Sequence, residues 1–168
     1  MATVTVQGNP IHTTGDLPSI GAPAPDFRLI NTNLEERTLG DFAGRRKVIN
    51  IVPSLDTAVC AAQARRFNQE AAGLDNTAVL VISADLPFAQ ARFCETEGID
   101  NLETLSTVRS RDFGEAWGIA LAEGPLAGTC ARAVVILDDN DRVAYTQLVP
   151  EIAEEPDYDK VLAALNAT

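Results

Sequence analysis

Apolar positions along the 168-residue chain change their period several times. Near the N-terminus Val4 and Val6 alternate with polar residues, Gly8-Asn9-Pro10 offers a turn, and Ile11 begins a return. Residues 3–14 therefore predict a β-hairpin. Pro18, Gly21, Pro23 and Pro25 follow, which makes 15–26 a rigid, irregular connection to Phe27-Arg28-Leu29-Ile30. The uninterrupted apolar runs Lys47–Val52 and Thr77–Ser83 read as buried strands. Between them the spacing becomes helical: Cys60, Ala64, Phe67 and Ala71 form one stripe of a helix over 57–73. A second helix opens at Pro87 and runs to about Glu97, where Gly98 can end it.

Further on, Leu102–Leu105 predicts a short strand and Ser110–Trp117 a short helix, with Phe113 and Trp117 at packing distance along it. Ala131–Leu137 and Val143–Val149 flank the polar turn Asp138-Asp139-Asn140-Asp141, the pattern of an antiparallel hairpin. A last helix, Asp157–Asn166, turns Val161, Leu162 and Leu165 inward. Strand, helix, strand, helix, β-hairpin and final helix describe an α/β fold: a mixed central sheet flanked by helices, with an added N-terminal β-hairpin (residues 1–14). That order resembles the thioredoxin-like fold. The length fits one domain, 1–168. Element order alone does not assign an activity.

Composition narrows the classes. A hydrophobic fraction of 46% argues against a disordered chain. The net charge of -11 repels a phosphate backbone, and the densest basic cluster is only Arg45-Arg46-Lys47, so no nucleic acid partner is expected. No stretch reaches the roughly 18 apolar residues of a membrane span, and Met1-Ala2-Thr3-Val4-Thr5-Val6-Gln7 lacks the regions of a signal peptide. Three cysteines, an odd number, suit a reducing compartment. The expectation is a cytoplasmic protein without membrane contact.

Most familiar chemistries lack their residues. There is no C-x-x-C, no phosphate-binding glycine loop, and a single histidine, His12, in the predicted hairpin. His12 reads as a surface residue, which leaves a cysteine hydrolase without its base. Three scattered cysteines and one distant histidine do not offer a zinc site, so no metal or other cofactor is expected.

What remains is Cys60. It follows the strand Lys47–Val52 and the turn Pro53-Ser54-Leu55-Asp56, in the first turn of a helix that Thr57 or Asp56 can cap. Free N–H groups and the partial positive charge of a helix N-terminus favour a thiolate, the reactive form of cysteine. Thr57 lies one turn before it. Pro53 shapes the turn without adding a backbone donor.

Pro53-x-x-x-Thr57-x-x-Cys60 resembles the active-site motif of the peroxiredoxins. The wider text resembles their bacterial thiol peroxidase branch: Pro53 to Cys60, Ser83 to Gln90 with Arg92-Phe93-Cys94, Leu105-Ser106-Thr107, Gly124-Pro125-Leu126 with Ala131 to Val135, and Glu155-Pro156-Asp157-Tyr158. The likeness spans nearly the whole chain. It implies a peroxidatic Cys60 that attacks a hydroperoxide and becomes a sulfenic acid. It implies that Thr57 bonds thiolate and peroxide, and that Arg132 supplies positive charge as the O–O bond breaks. It implies a resolving Cys94 that closes a Cys60–Cys94 disulfide, thioredoxin as the reductant, and a homodimer. Two cysteines on separate helices need not lie within the roughly 4.4–6.8 Å Cα separation of a disulfide. Local unwinding around Cys60 and rearrangement near Cys94 are therefore expected on oxidation.

Cys130 has no counterpart in this scheme. Two residues before Arg132, it is either inert packing or a competing thiol near the pocket. A thiol-based sensor and a non-enzymatic binding domain are the rival readings; sustained turnover of peroxide separates a peroxidase from the first, and a Cys60 that reacts with hydroperoxide far faster than a free thiol excludes the second.

Overall fold

A computed structural model describes residues 1–168. β1 (Thr3–Val6) and β2 (Asn9–His12) form a separate antiparallel ribbon. Its turn is Gln7-Gly8, both at positive φ (51° and 80°), as a tight two-residue hairpin requires. Asn9 and Pro10 belong to the return strand, so the turn lies earlier than Gly8-Asn9-Pro10.

The main sheet has seven strands in the order β4-β3-β7-β6-β5-β8-β9. They are β3 (Leu29–Ile30), β4 (Glu36–Arg37), β5 (Arg46–Ile51), β6 (Thr77–Ser83), β7 (Glu103–Ser106), β8 (Ala133–Leu137) and β9 (Val143–Leu148). β5, β6 and β7 are parallel; β3, β8 and β9 join antiparallel. Helix α1 (Ala58–Ala71) connects β5 to β6, and α2 (Pro87–Glu97) connects β6 to β7. Right-handed crossovers between parallel neighbours put both helices on one face. α4 (Tyr158–Asn166) joins them there through Val161 and Leu165, which pack with Val48, Val134 and Phe67, while Leu162 is half-buried. α3 (Phe113–Ala116) is shorter than the predicted 110–117 helix. A 3-10 turn at Leu39–Phe42, where Asp41 accepts the Thr38 N–H, and the tiny β4 were not anticipated.

Alternation along β5 separates two cores. Ile49 and Ile51 face a cluster containing Phe27, Leu29, Phe113, Trp117 and Ile119. Val48 and Val52 face α1, α2 and α4. Trp117 and Phe113 are thus core residues, their rings stacked at 5.5 Å. A third cluster (Val4, Ile11, Leu121, Ala131, Ile152) seats the N-terminal ribbon on the segment after β9.

Candidate active site

β5 ends against Pro53, which is buried, and the chain makes one loop before α1. Thr57 is the N-cap: its backbone is extended and its hydroxyl accepts the N–H of Cys60 at 3.3 Å. The same hydroxyl donates to the Ser54 carbonyl at 3.1 Å, so its proton is engaged within the loop rather than at the sulfur. Cys60 therefore occupies the third position of a 14-residue helix, where unpaired N–H groups and the helix dipole act together. Its side chain is fully buried among Val52, Leu55, Ala64 and Val81.

Arg132, just before β8, reaches the sulfur from the sheet. Nη2 donates to Cys60 Sγ at 3.2 Å. Nη1 donates to Gln63 Oε1 at 2.8 Å, and Nε and Nη2 both donate to the Ile152 carbonyl at 3.0 and 2.9 Å. Arg132 is 1% exposed, yet no carboxylate lies within ion-pair distance of it. A buried charge is costly unless paired. Cys60 is the one ionisable side chain that Arg132 hydrogen-bonds, and a sulfur accepting a guanidinium N–H is stabilised most as the thiolate. Gln63 was not singled out from the sequence; the signal was a polar residue one turn after Cys60 on an otherwise apolar stripe. Its Nε2 is buried without a partner, its amide oriented by the bond to Arg132.

A carboxylate orders the loop. Asp85, after β6, accepts from the Ser54 hydroxyl, the Leu55 N–H and the Ser83 hydroxyl, each at 2.7 Å. It ties the Pro53–Thr57 turn to the connection that enters α2.

Cys94 lies in α2, half-buried, with Sγ 3.9 Å from Thr104 Oγ1 of β7. Burial pushes its thiol pKa up, and the Thr104 hydrogen bond opposes this only in part. Cys60 and Cys94 are both free thiols, each with its own partner. Between α1 and α2 opens a groove of about 500 Å³ lined by Leu55, Thr57, Ala61, Ala89, Arg92 and Phe93. It leads to the mouth of the loop carrying Thr57.

Cys130 packs on the opposite core. Its sulfur lies against Gly114 of α3, beside Phe113 and Trp117, and burial pushes its pKa up to about 12. The sheet thus separates it from Cys60, although Arg132 is two residues away. His12 is exposed and pairs with Glu123. No three His, Cys, Asp or Glu side chains gather where a metal ion could be held, and no helix is long and apolar enough to cross a membrane.

Comparison with known proteins agrees with this geometry. Residues 19–162 match the Redoxin family. A thiol peroxidase of Corynebacterium glutamicum is 54% identical over 166 residues, covering 99% of this chain and all of that one. Among solved structures, a peroxiredoxin-like protein from Aquifex aeolicus superposes with a TM-score of 0.94 at 42% identity, covering 99% of this chain and 97% of that one. A thiol peroxidase from Chromobacterium violaceum gives 0.91 at 25% identity, covering 98% and 95%. With a thioredoxin-like sheet, a cysteine at a helix N-terminus and a buried guanidinium on its sulfur, the chain belongs to the Redoxin family as a peroxiredoxin-type thiol peroxidase.

Proposed function

We propose that Cys60 is the peroxidatic cysteine and Cys94 the resolving one. The observation that carries this reading is the Arg132 Nη2 to Cys60 Sγ contact at 3.2 Å in a pocket where no carboxylate competes for the guanidinium. The Cys60 thiolate attacks the distal oxygen of a hydroperoxide. The O–O bond breaks, the alkoxide or hydroxide leaves and takes a proton, and Cys60 carries a sulfenic acid. Arg132 stabilises charge on both sides of that transfer. Thr57, released from Ser54, turns its hydroxyl to the incoming peroxide. Pro53 keeps water from the sulfur.

The Cys94 thiolate then attacks the sulfenic sulfur, hydroxide leaves as water after protonation, and a Cys60–Cys94 disulfide forms. The two thiols start in separate environments, Cys60 buried and Cys94 half-buried, so α2 and the first turn of α1 must loosen for this step. A half-buried Cys94 whose pKa desolvation raises is a poor nucleophile; exposure on unwinding raises its thiolate fraction. A thioredoxin-type dithiol then reduces the disulfide and is itself oxidised. The working form is a homodimer of single-domain chains, in the cytoplasm.

The test is NADPH-coupled turnover with thioredoxin and thioredoxin reductase. Cys60→Ser should abolish turnover. Cys94→Ser should lose thioredoxin-linked cycling yet still consume one peroxide per chain. A dominant Cys60–Cys130 linkage in the oxidised protein would refute the assignment of Cys94, and consumption of a single peroxide by the wild type would make the chain a sensor.

A further inference from the structure

The β1–β2 ribbon takes no part in the seven-stranded sheet, yet it is tied to the residue that anchors Arg132. The N–H of Thr5 donates to the Pro150 carbonyl at 2.7 Å, and the N–H of Ile152 donates to the Thr5 carbonyl at 2.9 Å. Between these bonds stands Glu151. Its Oε2 accepts the Thr5 hydroxyl at 2.7 Å and the Gly8 N–H at 3.0 Å. Its Oε1 accepts the N–H groups of Gln7 and Ala153, each at 3.1 Å. The left-handed turn Gln7-Gly8 brings two successive backbone N–H groups onto one carboxylate, a small anion nest. The Thr5 hydroxyl first, then the N–H groups of Gly8, Ala153 and Gln7, pull the Glu151 pKa down to about 2, so it is ionised throughout the physiological range.

The next residue, Ile152, is buried beside Val4, Ile11 and Ala131. Its carbonyl accepts two of the four hydrogen bonds that Arg132 donates, including one from the Nη2 that also donates to Cys60. With no carboxylate to hold it, the guanidinium takes its direction from neutral acceptors, and Ile152 supplies the bidentate one. That carbonyl sits in the connection between β9 and α4, outside any sheet ladder. Such connections wander unless tied down; Glu151 provides three ties to the ribbon, through Thr5, Gln7 and Gly8, and a fourth bond, from Ala153, within the connection itself.

We propose that Glu151 is a positioning residue for the peroxide step: by clasping the turn of the N-terminal hairpin it fixes the Ile152 carbonyl, which aims Arg132 Nη2 at Cys60 Sγ. The hairpin is then the outer support of the active site rather than an ornament of the fold. The inference rests on the reading of Arg132 as the group that assists peroxide cleavage at Cys60.

The experiment is a double-mutant cycle on the single-turnover oxidation of Cys60 by hydrogen peroxide. It uses the full chain, with the ultraviolet band of the Cys60 thiolate recorded alongside. Glu151→Ala should slow the oxidation by about tenfold to a hundredfold, the scale of a misplaced catalytic group, and diminish the thiolate band. In an Arg132→Ala background the same substitution should have no further effect, since there is no guanidinium left to misplace. Thr5→Val, which deletes one of the four bonds to Glu151 together with the longer hydroxyl bond to the Pro150 carbonyl, should give a smaller slowing in the same direction. It carries the same cycle if Glu151→Ala does not fold. Equal slowing in both backgrounds, or none in either, overturns the positioning role. If Arg132→Ala is slow but Glu151→Ala is not, only this inference falls; if Arg132→Ala is as fast as wild type, the reading of Arg132 falls and takes the inference with it.

Discussion

Replacing Arg132 with methionine should separate activity from stability. Methionine fills much of the volume of the arginine stem but removes the charge and four donated hydrogen bonds: one to Cys60 Sγ, one to Gln63 and two to Ile152. Loss of one preorganised donor at a developing negative charge costs on the order of 10² to 10³ in rate. The effect on folding is a difference of two comparable quantities. Two acceptors, Gln63 Oε1 and the Ile152 carbonyl, lose their partner at about 1–3 kcal/mol each. Against this, a cation with no carboxylate partner is no longer desolvated, which releases several kcal/mol. The net change in stability should fall within about 2 kcal/mol of zero while peroxide cleavage collapses. Stopped-flow oxidation and denaturant unfolding on the same preparation measure both. Arg132→Lys is the informative intermediate: its single ammonium keeps the charge but cannot span Cys60, Gln63 and Ile152 at once, so its rate should lie between the other two. An Arg132→Met enzyme that oxidises within threefold (roughly 0.7 kcal/mol) of wild type would refute electrostatic assistance, and a fully active Arg132→Lys would show that charge suffices without the fork geometry.

Asp85→Asn leaves the loop one acceptor short, so the Pro53–Thr57 turn should loosen and disulfide formation should gain on over-oxidation. The sulfinic acid fraction at high peroxide, read by mass spectrometry, should drop; a rise would mean that Asp85 does not hold the packed state. Amides of 87–97 should exchange with solvent faster than those of 58–71, because α2 buries only Pro87 and Gln90 whereas α1 buries Cys60, Gln63, Ala64 and Phe67. Slower exchange in α2 would place the flexible element elsewhere. Cys130, whose pKa burial raises to about 12, should resist alkylation at pH 8 in the folded protein. Its folded value lies above the unfolded one near 8.5. The stability gained by keeping it a neutral thiol is therefore complete below about pH 8.5 and lost as pH climbs toward 12, and Cys130→Ala should flatten that alkaline decline.

Legibility in the sequence followed the range of the interactions. β6 and α2 begin and end where the pattern placed them, because a β-branched run is bounded by Asn76 at positive φ, and a helix by Pro87 and a left-handed Gly98. The hairpin turn was displaced because Gln7, which carries no turn signal, adopts φ 51° beside Gly8, leaving Pro10 opposite Thr5 in the ribbon. Pro53, Thr57 and Cys60 share one turn of chain, and their spacing alone suggested chemistry. Arg132 stands 72 residues from Cys60, so only the resemblance to a known family connected them; the distance between the two atoms then gave the connection a physical form. Asp85 and Ile152 escaped notice for different reasons: the first acts on a loop distant in sequence, and the second acts through a carbonyl, which no side chain advertises.

These contacts also explain how one pocket can serve two incompatible steps. In the proposed cycle, peroxide cleavage needs Cys60 held at the start of α1 with Arg132 on its sulfur, whereas disulfide formation needs that sulfur to leave Arg132 and meet a thiol that now faces Thr104. The bonds divide accordingly. Two of the bonds that hold Arg132 go to the Ile152 carbonyl, which lies outside α1, so in this cycle the guanidinium keeps that anchor while the loop departs. The loop itself is fastened mainly by Asp85, through hydrogen bonds that water can replace once the turn opens. On that proposal, support for the positive charge and a releasable clasp on the thiol are what the same chain needs to pack first, unwind next, and return when the disulfide is reduced.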